Sequence, residues 1–157
     1  MINENVCPTC DNKGTPVKRI TLESLLVEPN PDHLSGFRFC ATQTCAVAYY
    51  NPDSRETVDK QQVRVRIGLK ENAAPRPVCY CFQHDQEEIE AEVLEHGASG
   101  VADDITAKCK EGLHRCEELN PQGRCCLGNI RRIEAAAKAQ REIIPTTEPE
   151  CCEVPSE

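Results

Sequence analysis

Hydrophobic and polar positions divide the chain into two unlike halves. From Met1 to about residue 72 the pattern is short-range. Val63, Val65, Ile67 and Leu69 alternate with Arg64, Arg66, Gly68 and Lys70, a period of two that predicts a half-buried strand. Residues 17–20 predict a shorter strand, followed by a helical turn over 22–27 capped by Thr21. Residues 36–40 and 46–50 flank the turn at Cys40 and Cys45 as a hairpin. Ala73-Ala74-Pro75-Arg76-Pro77 predicts a linker, because two prolines so close together interrupt both a sheet ladder and a helix.

From Val78 onward the period is helical. Asp85 with Glu88 three residues later forms a capping box for a helix running to His96 and closed by Gly97, with Ile89 and Val93 as its buried stripe. Asp103 or Asp104 opens a second helix carrying Ile105 and Cys109, ended by Gly112. Leu127 to Ile144 predicts a third, apolar along Leu127, Ile130, Ile133, Ala137 and Ile144 and stopped by Pro145. The acidic stretch that follows predicts disorder. The expected fold class is α+β: a small β-rich domain over residues 1–72, a small helical domain over 73–144, and an acidic tail over 145–157 bearing the vicinal pair Cys151 and Cys152.

Composition changes the picture at one point. The 157 residues include 12 cysteines but only 3 tyrosines, 3 phenylalanines and no tryptophan. A core that thin stands against about 1–2 kcal/mol of backbone entropy per ordered residue, so the fold needs disulfides or metals as staples. The opening Met-Ile-Asn-Glu-Asn-Val-Cys has no charged start leading into an apolar run, so no secretory signal is expected. No stretch approaches the about 20 apolar residues of a membrane span. A reducing cytoplasm, with thiols free for metal, is the expected setting. The net charge of −8 argues against a nucleic-acid partner. No nucleophilic triad, phosphate loop or paired carboxylates stand out, and an enzyme is not expected.

The cysteines fall into two sets. Cys7-Pro-Thr-Cys10 and Cys40-x4-Cys45 each present two thiols from one tight turn, and two such turns make the four-thiolate shell that structural Zn2+ favours. The alternative is a redox dithiol, but the βαβ setting of that chemistry is missing. Gly14 permits the chain to fold back after the first turn. Cys79-Tyr-Cys81 is unusual for zinc and stands just before the Asp85 helix, where helix-terminal amides favour anionic charge. A 2Fe–2S cluster on Cys79, Cys81, Cys116 and one of Cys125 or Cys126 suits this spacing, with Cys109 as a core residue and a second zinc as the alternative.

Cys79-Tyr80-Cys81-Phe82, followed by Asn120-Pro-Gln-Gly-Arg-Cys125-Cys126-Leu-Gly128, resembles a bacterioferritin-associated-ferredoxin-type 2Fe–2S domain. With Cys-Pro-x-Cys, Thr21-Leu22, Leu25-Leu26 and Cys40…Cys45-x3-Tyr49-Tyr50 ahead of it, the order is similar to the N-terminal region of the archaeal CopZ-type copper chaperones. That resemblance implies zinc at Cys7, Cys10, Cys40 and Cys45, and a 2Fe–2S cluster on Cys79, Cys81, Cys116 and Cys126. Two departures stand out: nine residues separate Cys116 from Cys126 where the ferredoxin-type pattern ends in C-x-x-C, and the family's copper-transfer motif M-x-C-x-x-C has no counterpart in these residues.

The implied function is a redox protein in soft-metal handling, of copper or mercury, with one-electron transfer at the cluster. Its partner is then a metal transporter, a separate copper chaperone or a redox partner protein. Cys151 and Cys152 suit a soft ion. The alternatives are a ferredoxin-like adaptor that docks to a larger enzyme through the acidic helix at residues 85–95, and a structural double-zinc interaction module. His33, His84, His96 and His114 are expected at the surface rather than as ligands, and Arg124, Arg131 and Arg132 are candidates to offset cluster charge.

Overall fold

The fold comes from a computed structural model that describes residues 5–143. The tail with Cys151 and Cys152, and Ile144 at the foot of the third helix, lie outside the described residues. The architecture is mixed α/β, β-rich first and helical after. Four short antiparallel strands form one sheet in sequential order: β1 (Thr15–Pro16), β2 (Arg38–Phe39), β3 (Val47–Tyr50) and β4 (Thr57–Asp59). The hairpin expected around Cys40 and Cys45 is β2–β3, with Phe39 opposite Tyr49 and Arg38 opposite Tyr50.

Two expectations in this half need correction. Residues 17–20 are not a strand, and Thr21 is not a cap: helix α1 runs Arg19–Leu25 and begins after Lys18. Thr21 sits inside it, fully buried, and its hydroxyl donates to the carbonyl of Glu117 at 2.6 Å. The alternating run 63–69 buries Val63 and Ile67 and half-buries Val65 and Leu69, as its pattern requires, but it is not a strand. Only Val63 bridges a neighbour, Leu26, and residues 68–70 turn into a 3-10 helix. The reason is Gly68, whose backbone lies so close to Pro77 that a Cβ would stand 2.0 Å from the Pro77 carbonyl oxygen. The chain turns there to meet the second half instead of pairing along its length.

Helix α1 and the sheet enclose a core of Leu22, Leu25, Leu26, Phe37, Phe39 and Tyr49. Pro77 is not linker but opens a two-stranded hairpin, β5 (Pro77–Cys79) with β6 (His84–Asp85), around the C-x-C pair. Four helices follow: α2 (Gln86–His96), α3 (Val101–Lys110), α4 (Cys116–Leu119) and α5 (Leu127–Ile143). Asp85 accepts from the Glu88 N–H at 2.8 Å, and Gly97 closes α2 in the left-handed region at φ 83°, so the signals read from the sequence set both ends of this helix. Helix α3 starts two residues earlier than expected, at Val101, after Gly100. A second core, Val78, Ile89, Val93, Val101, Ile105, Ile130 and Ala137, fills the space between these helices. Among the described residues no helix is long and apolar enough to cross a membrane.

Candidate metal centres

The first turn is tied by its own backbone. The Cys7 N–H donates to the Asn12 carbonyl and the Asp11 N–H to the Cys7 carbonyl, both at 2.9 Å, and Asp11 takes a left-handed φ of 59° to close the loop. Asn12 then donates to the Thr42 hydroxyl at 3.0 Å, pinning the first turn against the second. Gly14 serves close approach, not turn flexibility, since a Cβ there would meet the Phe39 carbonyl oxygen at 2.2 Å. Strand β3 delivers Tyr50, whose hydroxyl accepts from the Gly14 N–H at 2.7 Å and donates to the Asn5 carbonyl at 2.8 Å.

These contacts bring Cys7, Cys10, Cys40 and Cys45 together, their sulfurs all within 4.8 Å of one another. The Cys7–Cys45 and Cys10–Cys40 sulfurs stand 3.9 and 3.6 Å apart. A tetrahedron with Zn–S near 2.3 Å has edges of about 3.8 Å, so the donor set fits one zinc. Cys7, Cys40 and Cys45 are buried and Cys10 faces the edge. Burial pushes the Cys7 thiol up to about 12. Burial also works against Cys10, yet hydrogen bonds with Thr42 and the Asn12 backbone pull it down to about 6. One buried side chain that sequence reading passed over faces this site. Lys70 donates to the Thr42 and Cys45 carbonyls at 2.9 and 3.0 Å.

The second set is arranged differently. Among the described residues no other three metal-ligating side chains gather as tightly as the first four. One close sulfur pair is present, Cys81 and Cys116 at 3.4 Å, while Cys79 and Cys126 are both buried in the second core. Interaction with the Cys126 thiol pulls the Cys79 thiol down to about 6, whereas interaction with Cys79 and then burial push Cys126 up. Burial raises Cys116 to about 12. A backbone N–H, that of Arg115, donates to the Cys81 sulfur at 3.2 Å. Cys125 is exposed, and Cys109 is half-buried at the edge of the second core and not inside it. The α2 N-terminus follows closely, with Cys79 paired opposite His84 two residues before the helix begins. Asp85 caps it.

The loop ahead of Cys126 is built by buried amides. Asn120 donates to the Arg124 carbonyl at 2.7 Å and accepts from the Gln122 N–H at 3.0 Å, while Asn129 donates to Gln122 at 2.5 Å. Tyr49, from the sheet, donates to the Pro121 carbonyl at 2.5 Å. Tyr80, between Cys79 and Cys81, donates to the Arg66 carbonyl at 2.6 Å and accepts from the Gly68 N–H at 3.2 Å. A cleft of about 740 Å³ lies between the halves, with Lys18, His114, Arg115, Cys116, Arg124 and Cys125 on its wall. His84 is not free at the surface. It sits between Glu88 and Asp104 at 3.0 Å from each. The acidic helix is partly engaged within the molecule, Glu87 and Glu90 both meeting Arg76.

The fold and the first quartet define the class. Residues 4–64, which hold all four cysteines of the quartet, match the CopZ zinc-finger family, described as a zinc binding domain. The chain is homologous to the N-terminal domain of CopZ. It is 32% identical over 128 residues to "Copper chaperone CopZ" of Archaeoglobus fulgidus, a match covering 81% of this chain. The chain spans 60% of that relative's length. The X-ray structure of the Archaeoglobus fulgidus CopZ N-terminal domain superposes with a TM-score of 0.65 at 28% identity, covering 82% of this chain and 96% of that one.

Proposed function

We propose that this chain is a CopZ-like metal-handling protein with a structural zinc on Cys7, Cys10, Cys40 and Cys45 and a 2Fe–2S cluster on Cys79, Cys81, Cys116 and Cys126. The division into a zinc domain over residues 1–72 and a cluster domain over 73–144 goes with it, supported by the separate cores of the two halves. The observation that carries the reading is the contrast between the sulfur sets. A quartet drawn together suits one ion, whereas the close Cys81–Cys116 pair beside the buried Cys79 and Cys126 would suit two irons, each holding two thiolates. Burial also favours Cys126 over Cys125, because Cys126 lies in the second core while Cys125 is exposed.

Such a cluster supplies one-electron transfer when bound. The residues around it hold the sulfurs in a shielded but reachable place, with the Arg115 N–H donating to the Cys81 sulfur and the cleft reaching Cys116. The cargo proposed is a soft cation of the copper class, passed to a transporter or a separate chaperone. The name of the homologous relative supports this part of the reading.

The test is metal analysis and an absorption spectrum on protein purified without oxygen, for wild type, Cys125→Ser and Cys126→Ser. About two irons and one zinc per chain, visible absorbance that dithionite bleaches reversibly, loss of iron in Cys126→Ser and retention in Cys125→Ser are expected. Zinc alone with no colour after reconstitution would leave a structural zinc module. Iron lost from Cys125→Ser but kept in Cys126→Ser would reverse the ligand assignment.

A further inference from the structure

Lys70 is 3% exposed, the one buried charged side chain among the described residues. Taking an ammonium out of water costs several kcal/mol unless a counter-charge and hydrogen bonds compensate. Hydrogen bonds account for part of that: Nζ donates to the carbonyls of Thr42 and Cys45 at 2.9 and 3.0 Å. No carboxylate among the described residues lies within ion-pair distance of it. The adjacent Glu71 is turned elsewhere, to Lys60 at 3.7 Å and Arg66 at 3.3 Å. What does surround the ammonium is the Cys40–Cys45 turn, which carries two of the four sulfurs of the first quartet. Four thiolates on one divalent cation leave a net charge of two minus, held in a pocket where three of the cysteines are buried. Each charge lacks a partner without the other.

We propose that Lys70 is the counter-charge of the zinc–thiolate centre, a positioning residue that holds the Cys40–Cys45 turn and offsets the charge its sulfurs acquire on binding the metal. The proposal rests on the zinc reading of that quartet. It concerns a residue outside the ligand set and outside the cysteine spacing that marks the domain. The geometry also explains why a lysine is tolerated in so apolar a place. Lys70 ends the 3-10 turn at residues 68–70, and its ammonium reaches the backbone of the turn that carries Cys40 and Cys45.

Zinc affinity by competition with a chromophoric chelator, under anaerobic reducing conditions, tests this on the full chain as wild type, Lys70→Gln, Lys70→Met and Lys70→Arg. Glutamine keeps a donor for the two carbonyls but no charge, methionine keeps neither, and arginine keeps the charge. Residues that support metal ligands from behind typically change affinity by about 10–100-fold. The expected result is zinc held at least tenfold more weakly by both Lys70→Gln and Lys70→Met, with recovery toward wild type in Lys70→Arg. Wild-type affinity in Lys70→Gln would reduce Lys70 to a hydrogen-bonded tether and overturn the counter-charge, as would wild-type affinity in Lys70→Met. If Lys70→Met does not fold by circular dichroism, the Gln and Arg variants decide between the same outcomes. A wild-type chain that takes up no zinc would overturn the zinc reading itself, and that result is distinct from a zinc-loaded chain indifferent to Lys70.

Discussion

Tyr49→Phe isolates a single hydrogen bond between the sheet and the loop that carries Cys126. Tyr49 is fully buried on β3, and its ring meets Phe39 edge-on, centroids 5.8 Å apart at 63°. Phenylalanine keeps that packing and removes only the hydroxyl, which donates to the Pro121 carbonyl at 2.5 Å. Burial holds this hydroxyl's pKa above its ordinary value, so it is a protonated donor throughout the working pH range. The net worth of such a bond is about 0.5–1.5 kcal/mol, and a carbonyl left buried without a partner raises the loss to about 1–3 kcal/mol. For a chain of this size that is about 2–12 °C in Tm. Thermal unfolding followed by far-UV circular dichroism, at matched metal loading, reads it directly. A second readout ties the loss to the loop: in metal-free protein, alkylation of Cys126 is expected to run faster in Tyr49→Phe, with Cys7 unchanged. A Tm within 1 °C of wild type, or a rise in reactivity spread evenly over both cysteines, would show that this bond does not hold the loop.

Two further predictions follow from close approach and from charge. Gly68→Ala places a methyl 2.0 Å from the Pro77 carbonyl oxygen, with backbone on the opposing side, so a stability loss of at least about 1–3 kcal/mol in urea unfolding is expected; a neutral result would mean the halves do not meet there. Glu87 is half-buried, and burial alone would raise its pKa, but the Arg76 guanidinium at 2.5 Å and the Arg76 N–H at 3.0 Å hold it below the ordinary carboxylate value. A depressed carboxylate stabilises the fold above its unfolded pKa and loses that contribution as pH falls through the folded value. Glu87→Gln is therefore expected to be less stable than wild type near neutral pH, by about 1 kcal/mol or less for a partly exposed pair, with the difference closing below about pH 4. A gap that persists unchanged into acid would show that the pair does not supply it.

Much of the fold was legible because its signals are local. Asp85 and Gly97 bound α2, although the Glu88 side chain meets His84 instead of closing the capping box, and the hydrophobic stripe from Leu127 gives α5. The first quartet was legible for the same reason: two cysteines on one turn are already preorganised as half a site. The failures share a cause that no local pattern carries. The alternation at residues 63–69 reads as a strand until Gly68 meets Pro77, and Pro77 reads as linker until it pairs with Asp85. The same meeting of the halves was not visible in Thr21, a helix cap by type that instead bonds Glu117.

Those contacts have a consequence for how the two sulfur sets relate. Residues 66–71 touch both. Lys70 holds the Cys40–Cys45 turn, and Gln43 donates to the Glu71 carbonyl at 2.9 Å. At the other end of the same six residues, the Arg66 carbonyl and Gly68 N–H grip Tyr80 between Cys79 and Cys81. A covalent strap this short, hydrogen-bonded at both ends, joins the two turns, and whether strain passes along it can be measured. Tyr80→Phe is the direct probe, since it cuts both bonds at one end and leaves the zinc quartet untouched. It is expected to speed alkylation of Cys79 and Cys81 in the metal-free chain and to leave zinc affinity within about twofold of wild type, as expected for a change outside the ligands and their immediate support. A tenfold loss of zinc in Tyr80→Phe would mean that strain travels through the strap in full, and the two halves would then have to be treated as one site.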